Sequence, residues 1–109
     1  MKFNIRKEDR KNKKLRGVLK VLRARLPIFN SDWEGVLEIE DTGTSYGECI
    51  VLKIYDHNDP SGVMSNDGTP EAINEEGFFV PWKTPVKQSD EFVAGWLMCK
   101  LWEFLEEEG

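Results

Sequence analysis

A long apolar run near the end of the chain constrains the fold more than any other feature. Twelve of the fourteen residues from Phe92 to Leu105 are apolar or glycine, and only Lys100 and Glu103 interrupt them. On a period of 3.6 residues, such a segment forms a helix that is apolar around most of its circumference. It falls short of the ~20 apolar residues that span a bilayer, so we expect protein to cover it. A helix over Ser89 to Glu106 should therefore pack on the rest of the domain.

The length and composition predict one globular domain. A chain of 109 residues can bury one core, and 39% apolar residues with four Trp and six Phe argue against wholesale disorder. Cys49 and Cys99 lie in the most apolar segments, which predicts reduced core thiols and no secreted disulfide framework. Bases interrupt Leu15 to Leu26, so no signal-peptide core is present. We therefore expect a cytoplasmic protein that does not enter a membrane.

Charge is divided unequally along the chain. Residues 1–26 hold eleven of the fifteen Lys and Arg with two acids, giving +9, whereas residues 27–109 carry −14. The single domain, 1–109, is thus a basic N-terminal helical arm (about 1–26) attached to an acidic body (27–109). Asymmetry of this kind bears on binding partners and not on the fold.

The basic arm contains an amphipathic helix. From about Glu8, apolar residues between Leu15 and Leu26 recur at spacings of three and four, and Pro27 ends the helix. Its opposite face is basic and includes Lys13, Arg16, Lys20 and Arg23. Cations near a helix N-terminus oppose the helix dipole, so an anionic partner would stabilise the first turns.

The middle of the chain predicts an antiparallel sheet. Alternation predicts a half-buried strand from Trp33 to Glu40, and Glu48 to Tyr55 is apolar on both faces, as in the middle of a sheet. Phe78 to Val80 could add a third strand, placed at an edge by Pro81. The predicted fold is α+β: an N-terminal amphipathic helix, a two- to three-stranded antiparallel sheet, and the apolar C-terminal helix packed on that sheet.

Catalytic and metal-binding motifs are weak. His57 is the only histidine and lies among turn-forming residues, which do not make a Ser-His-Asp triad by proximity in sequence. Asp56, Asn58 and Asp67 match three positions of a calcium loop, but Pro60 and Ser61 break its pattern. The sequence therefore predicts a protein that is not an enzyme and needs no metal or cofactor.

Function is predicted from the charge layout. The leading hypothesis is a non-enzymatic protein-binding module, in its narrower form an acidic inhibitor that occupies a basic, nucleic-acid-binding surface of a partner protein. Its expected contacts are acidic at Glu34, Glu38, Glu40, Asp56, Asp59 and Asp67, and apolar at Val63, Met64 and Trp96. One alternative is nucleic-acid binding through Lys13, Arg16, Lys20 and Arg23. Another is a structural homo-oligomer, a modest homodimer in which Trp96 and Trp102 meet a second copy.

Overall fold

The fold is α+β, as the sequence predicts. The computed structural model describes residues 1–26, 32–41, 47–56, 72–74, 77–81 and 88–108. Its elements in chain order are β1 (Lys2–Ile5), a 3-10 turn (Lys7–Asp9), α1 (Lys13–Arg25), β2 (Trp33–Asp41), β3 (Glu48–Asp56), β4 (Phe78–Pro81) and α2 (Asp90–Glu108). In this part of the chain, neither helix is long and apolar enough to cross a membrane.

The sheet has four strands in the order β1-β2-β3-β4 and is mixed. The β2–β3 and β3–β4 pairs are antiparallel, whereas β1 is parallel to β2, from Lys2 opposite Glu34 to Ile5 opposite Leu37. The expectation of two or three antiparallel strands is therefore wrong. β1 has only two apolar residues and pairs with a strand far along the chain, so it leaves little local pattern. Its direction follows from the crossover through α1, which returns the chain to the same end of the sheet.

The core lies between the two helices and one face of the sheet. α1 begins at Lys13, later than expected, because Asn12 caps it by accepting a hydrogen bond from the Leu15 N–H at 3.0 Å. The fully buried side chains include Phe3 from β1, Leu37 from β2, Ile50, Leu52 and Ile54 from β3, Leu15, Val18 and Leu22 from α1, and Val93, Leu97 and Leu101 from α2. The buried residues of α1 are three and four positions apart and those of α2 are four apart, so each helix contributes one stripe.

Gly35 makes room for the strand that the sequence did not reveal. It lies opposite Phe3 in the β1–β2 register, and a Cβ at Gly35 would lie 2.8 Å from Phe3 Cδ1. The Phe3 ring therefore packs directly on the backbone of β2. This contact anchors β1 in the core.

Side chains form hydrogen bonds to the backbone of β2 and β3 at the positions where the shorter strands β1 and β4 end. Beyond β1, Arg6 Nη2 donates to the Ile39 carbonyl oxygen at 2.9 Å, and Asp9 Oδ2 accepts from the Ile39 N–H at 3.0 Å. On β3, Asn74 Oδ1 accepts from the Ile54 N–H at 3.1 Å, and Asn74 Nδ2 donates to the Leu52 carbonyl oxygen at 3.0 Å. The backbone groups of Ile39 and Ile54 are therefore hydrogen-bonded although β1 ends before Ile39 and β4 ends before Ile54, and Leu52 receives the Asn74 bond at the last paired position of β4.

Candidate protein-binding and charged surfaces

One side of α2 is apolar and exposed. Phe92, Trp96 and Trp102 are 50%, 42% and 49% exposed, and Cys99 is exposed between them. These four residues form the aromatic face of α2, on the side of the helix away from its buried stripe. Large aromatic side chains dominate both cores and interfaces, so their exposure on a core helix marks this surface as a candidate binding site.

A shallow groove runs along the aromatic face. It has a volume of about 470 Å³ and is lined by Glu91, Phe92, Gly95, Trp96, Cys99, Lys100 and Glu103. Among the residues that the structure describes, no atom would lie within 4 Å of a Cβ at Gly95, so the middle of the groove is open. Lys100 Nζ lies 5.7 Å from the Trp96 ring centroid, within cation–π range, and 3.6 Å from a Glu103 carboxylate oxygen.

Two expectations about α2 are wrong. Cys99 was expected to be a core thiol, but it is exposed, and only Cys49 is buried; both thiols are free. The helix was expected to be covered on several sides, yet Phe92 and Trp102 face outward with Trp96. Trp96 is exposed beside Lys100, as the helical spacing indicates, and its role in binding stays a prediction. Phe92, four residues before Trp96, is exposed on the same side of the helix and was not among the predicted contact residues.

The predicted acidic face lies on β2, on the side of the sheet away from the helices, and it is largely neutralised. Lys53 Nζ, on the neighbouring strand β3, lies 2.9 Å from Glu38 Oε1 and 2.8 Å from Glu40 Oε1. Glu38 Oε1 accepts no hydrogen bond within the described part of the chain, so its contact with Lys53 acts through charge. Arg6 adds a longer contact of 4.0 Å to the same oxygen. Glu38 is only 4% exposed and offers almost no surface to a partner.

The pKa values follow from this arrangement. Burial, together with the neighbouring Glu40, raises the pKa of Glu38, and the contact with Glu38 lowers the pKa of Glu40. Burial works to lower the pKa of Lys53, but its contacts with Glu40 and Glu38 outweigh burial and raise that pKa to about 12. Burial raises the pKa of Tyr55 on the same face. The cluster is therefore an ion-paired structural network that keeps Lys53 charged.

The other predicted contact residues are divided between the described and the undescribed parts of the chain. Glu34 and Asp56 are half-buried, at the start of β2 and the end of β3. Asp59, Asp67, Val63 and Met64 lie outside the described residues, and so does His57. Among the residues that are described, no cluster of His, Cys, Asp or Glu could hold a metal ion.

The basic face of α1 is exposed along its whole length. Lys13, Arg16, Lys20 and Arg23 are all exposed, as the periodicity predicts, and so are Lys2, Lys7, Arg10, Lys11 and Arg25. Residues 1–26 make two ion pairs to described residues of the acidic body, Arg6 with Glu38 and Lys14 with Asp90, the latter at 2.9 Å. The remaining bases are thus not neutralised by the acidic part of the protein that the structure describes.

A second groove lies where the C-terminal end of α1 meets β1. It has a volume of about 310 Å³ and is lined by Met1, Lys2, Phe3, Asn4, Arg23 and Leu26. Arg23 Nε donates to the Phe3 carbonyl oxygen at 3.0 Å, and Arg23 Nη2 donates to Asn4 Oδ1 at 3.2 Å. These bonds hold the guanidinium beside Lys2 in the groove wall. Lys2 and Asn4 lie within the predicted basic arm but were not singled out, because β1 was not predicted.

Comparison of the chain with models of protein families, with curated proteins and with solved structures gives no match.

Proposed function

We propose that this chain is a non-enzymatic protein-binding module that docks through the aromatic face of α2. The observation that supports it best is the exposure of Phe92 and Trp96, 50% and 42%, on a helix whose other side is core. Trp and other aromatic residues are the usual anchors of protein interfaces, where a few of them carry most of the binding energy. The groove above Gly95 gives a partner side chain a place to enter between these anchors.

The charges around the aromatic face define the partner's chemistry. Glu91, Glu103, Glu106 and Glu107 are exposed, and Lys100 is the only base on α2. No base lies in the last turn, where the helix dipole favours cations, so Glu106 and Glu107 are unfavourably placed in the free protein. A partner with an apolar surface bordered by Lys or Arg would cover the aromatics and relieve this repulsion. The expected partner is therefore a basic protein.

In the narrower hypothesis of an acidic inhibitor, the surface that contacts the partner lies on α2 and not on the sheet. Glu38 is buried and Glu40 is paired with Lys53, so the outer face of β2 offers a partner little free negative charge. The acids of α2 are at the surface beside apolar anchors, which is a stronger combination for filling a basic cleft. We therefore place the inhibitory contact, in this form of the proposal, on α2.

Trp96→Ala tests the proposal. Immobilised wild-type protein should capture a basic protein from an extract of its source cells, and Trp96→Ala should weaken that complex by about 2 kcal/mol or more. Arg16→Ala, an exposed change on α1, is the matched control and should capture the partner normally. Circular dichroism should show the same fold for both variants, because each altered side chain is exposed. Equal capture by the wild type and Trp96→Ala would refute docking through α2.

The exposed thiol provides a second test on the same surface. A bulky maleimide should react with Cys99 and not with buried Cys49, and the adduct should block capture of the partner. Cys99→Ser should capture the partner with or without the reagent. If the adduct binds the partner as well as the untreated protein does, the partner does not cover this face.

A second copy of the chain competes for the same surface. Light scattering at high micromolar concentration decides this alternative. If the protein is a dimer, and Trp96→Ala dissociates it more than added salt does, apolar contact holds the two copies together. The occupant of the aromatic face would then be a second copy of the chain and not a different protein.

A further inference from the structure

We propose that the chain carries a second binding surface, independent of α2, for the phosphate backbone of double-stranded nucleic acid. It consists of the outward stripe of α1, Lys13, Arg16, Lys20 and Arg23, continued by Lys2 at the β1 groove. We call it the basic face.

Charge complementarity is the first argument. The whole chain is acidic, with a net charge of −5, yet nine of the eleven bases in residues 1–26 are exposed. Lys13, Arg16 and Lys20 make no ion pair within the described part of the chain, and α1 has no acid in its first turn. The exposed bases repel one another because no acid of the described residues neutralises them. A bound polyanion would therefore stabilise this surface. Phosphates near Lys13 would also offset the unfavourable dipole of the first turn.

The spacing of the bases suits a duplex. Lys13 and Arg23 are ten residues apart on one helix, which corresponds to about 15 Å along its axis. One strand of a duplex advances about 3.4 Å per phosphate, so this length covers roughly four phosphates. The stripe has four bases over the same distance. The bases are therefore spaced closely enough along α1 to contact several backbone phosphates.

Arg23 and the β1 groove provide a fixed end to the stripe. The guanidinium is held by the Phe3 carbonyl oxygen and Asn4 Oδ1, which use Nε and Nη2 and leave Nη1 available. Lys2 lines the same groove of about 310 Å³. A positioned Arg beside a Lys is suited to a phosphate, because the planar guanidinium can donate two hydrogen bonds to it.

The basic face lacks aromatic residues on which bases could stack, which favours a duplex over a single strand as its ligand. Phe3 is the only aromatic residue within positions 1–26, and it is buried in the core. Proteins that hold single strands combine basic grooves with exposed aromatics on which bases stack. The basic face offers charge without such a platform. Its interaction is therefore with the backbone and independent of sequence.

Fluorescence anisotropy with labelled duplexes tests the proposal. DNA and RNA duplexes of about 20 mixed base pairs would be titrated with the full chain between about 50 and 200 mM salt. The logarithm of the binding constant should fall linearly with the logarithm of salt concentration, with a slope of about −4 for four to five phosphate contacts. Binding of either duplex with this dependence supports the proposal, since the two share the phosphate chemistry.

Matched variants locate the surface. Lys20→Gln should reduce the magnitude of the slope by about 1, whereas Lys100→Gln, the same change on α2, should leave it unchanged. Arg23→Lys keeps the charge but loses the bonds that position the guanidinium, so affinity should fall while the slope stays nearly the same. Trp96→Ala should bind the duplex normally, which separates this surface from the protein-binding face.

Three outcomes would overturn the proposal. The first is no binding of either duplex at about 50 mM salt, where backbone contacts are strongest. The second is an equal change of slope in Lys20→Gln and Lys100→Gln, which would mean that binding is not localised on α1. The third is tighter binding of a single strand than of the duplex. None of these results bears on capture of a protein through α2.

Discussion

Asp9 hydrogen-bonds the backbone of β2 at Ile39, just beyond the end of β1. Its Oδ2 accepts a hydrogen bond from the backbone N–H of Ile39 at 3.0 Å, past the last pair of β1 and β2. The same oxygen lies 2.9 Å from Arg6 Nη2, and Arg6 in turn donates to the Ile39 carbonyl oxygen. The carboxylate is thus tied to the β2 backbone and to a cation at once.

Asp9→Ala should destabilise the protein by about 1–3 kcal/mol, because it leaves the Ile39 N–H without its acceptor. Asp9→Asn should cost less, since its amide oxygen can still accept that bond. Glu8→Ala, at the neighbouring exposed position, is the control and should change the free energy of unfolding by less than about 0.5 kcal/mol. Urea denaturation measures all three. Equal effects of Asp9→Ala and Glu8→Ala would show that the bond to Ile39 is not stabilising.

Gly77 and Gly47 form a matched pair. Both have positive φ, 91° and 70°, but a Cβ at Gly77 would lie 2.6 Å from Val51 Cγ1, whereas one at Gly47 would meet no atom of the described residues within 4 Å. Each change to Ala should cost about 1 kcal/mol for the backbone conformation. Gly77→Ala should cost at least a further ~1 kcal/mol for overpacking against Val51. If thermal unfolding shows the same loss for both, the contact with Val51 does not constrain this turn.

Lys53 should be more important than a surface lysine. Lys53→Met leaves the buried Glu38 with the longer contact to Arg6 in place of its close cation. Removing one partner of a buried pair costs about 3–5 kcal/mol, and somewhat less here because Arg6 remains and Lys53 reaches the surface. Adding Glu38→Gln should recover at least ~1 kcal/mol by removing the buried charge. Lys100→Met, which breaks an exposed pair with Glu103, should cost less than about 1 kcal/mol. Chemical denaturation of the four proteins measures these differences. A double variant less stable than Lys53→Met alone would contradict this account.

Alkaline pH should weaken the fold through the same lysine. Lys53 has its pKa raised from 10.5 to about 12, so the stability that it contributes is fully present below pH 10.5 and is lost as the pH rises through about 12. The loss should reach at most about 2 kcal/mol. The double variant Lys53→Met with Glu38→Gln lacks this component. The double variant should still lose stability above pH 10 through Tyr55, because burial also raises the pKa of Tyr55. Identical pH profiles for the two proteins would exclude Lys53 as the cause.

The sequence predicted the elements with strong local periodicity and missed the one that depends on distant pairing. α1, β2, β3 and α2 follow from regular apolar spacing or from apolar strands long enough to recognise. β1 does not, because Phe3 and Ile5 are its only apolar residues and its partner lies beyond a helix. For the same reason the strand order could be only partly inferred.

The candidate surfaces show a similar division. The exposure of Lys13, Arg16, Lys20 and Trp96 follows from helical spacing alone. The burial of Glu38 does not, because alternation puts it on the outer face of the sheet, while the ion pair with Lys53 arises only when β3 lies alongside. The exposure of Cys99 does not follow from the sequence, because apolar neighbours in sequence do not indicate which side of a helix is covered.

The side chains that hydrogen-bond the backbone of Ile39, Leu52 and Ile54 also limit how another polypeptide could add to the sheet. An exposed strand edge invites another polypeptide to extend the sheet, which is a common route to aggregation. Arg6, Asp9 and Asn74 already occupy those backbone positions, so an incoming strand would first have to displace them. Association through side-chain surfaces meets no such barrier. The fold thus discourages strand exchange in the central hairpin while leaving its helices available for recognition.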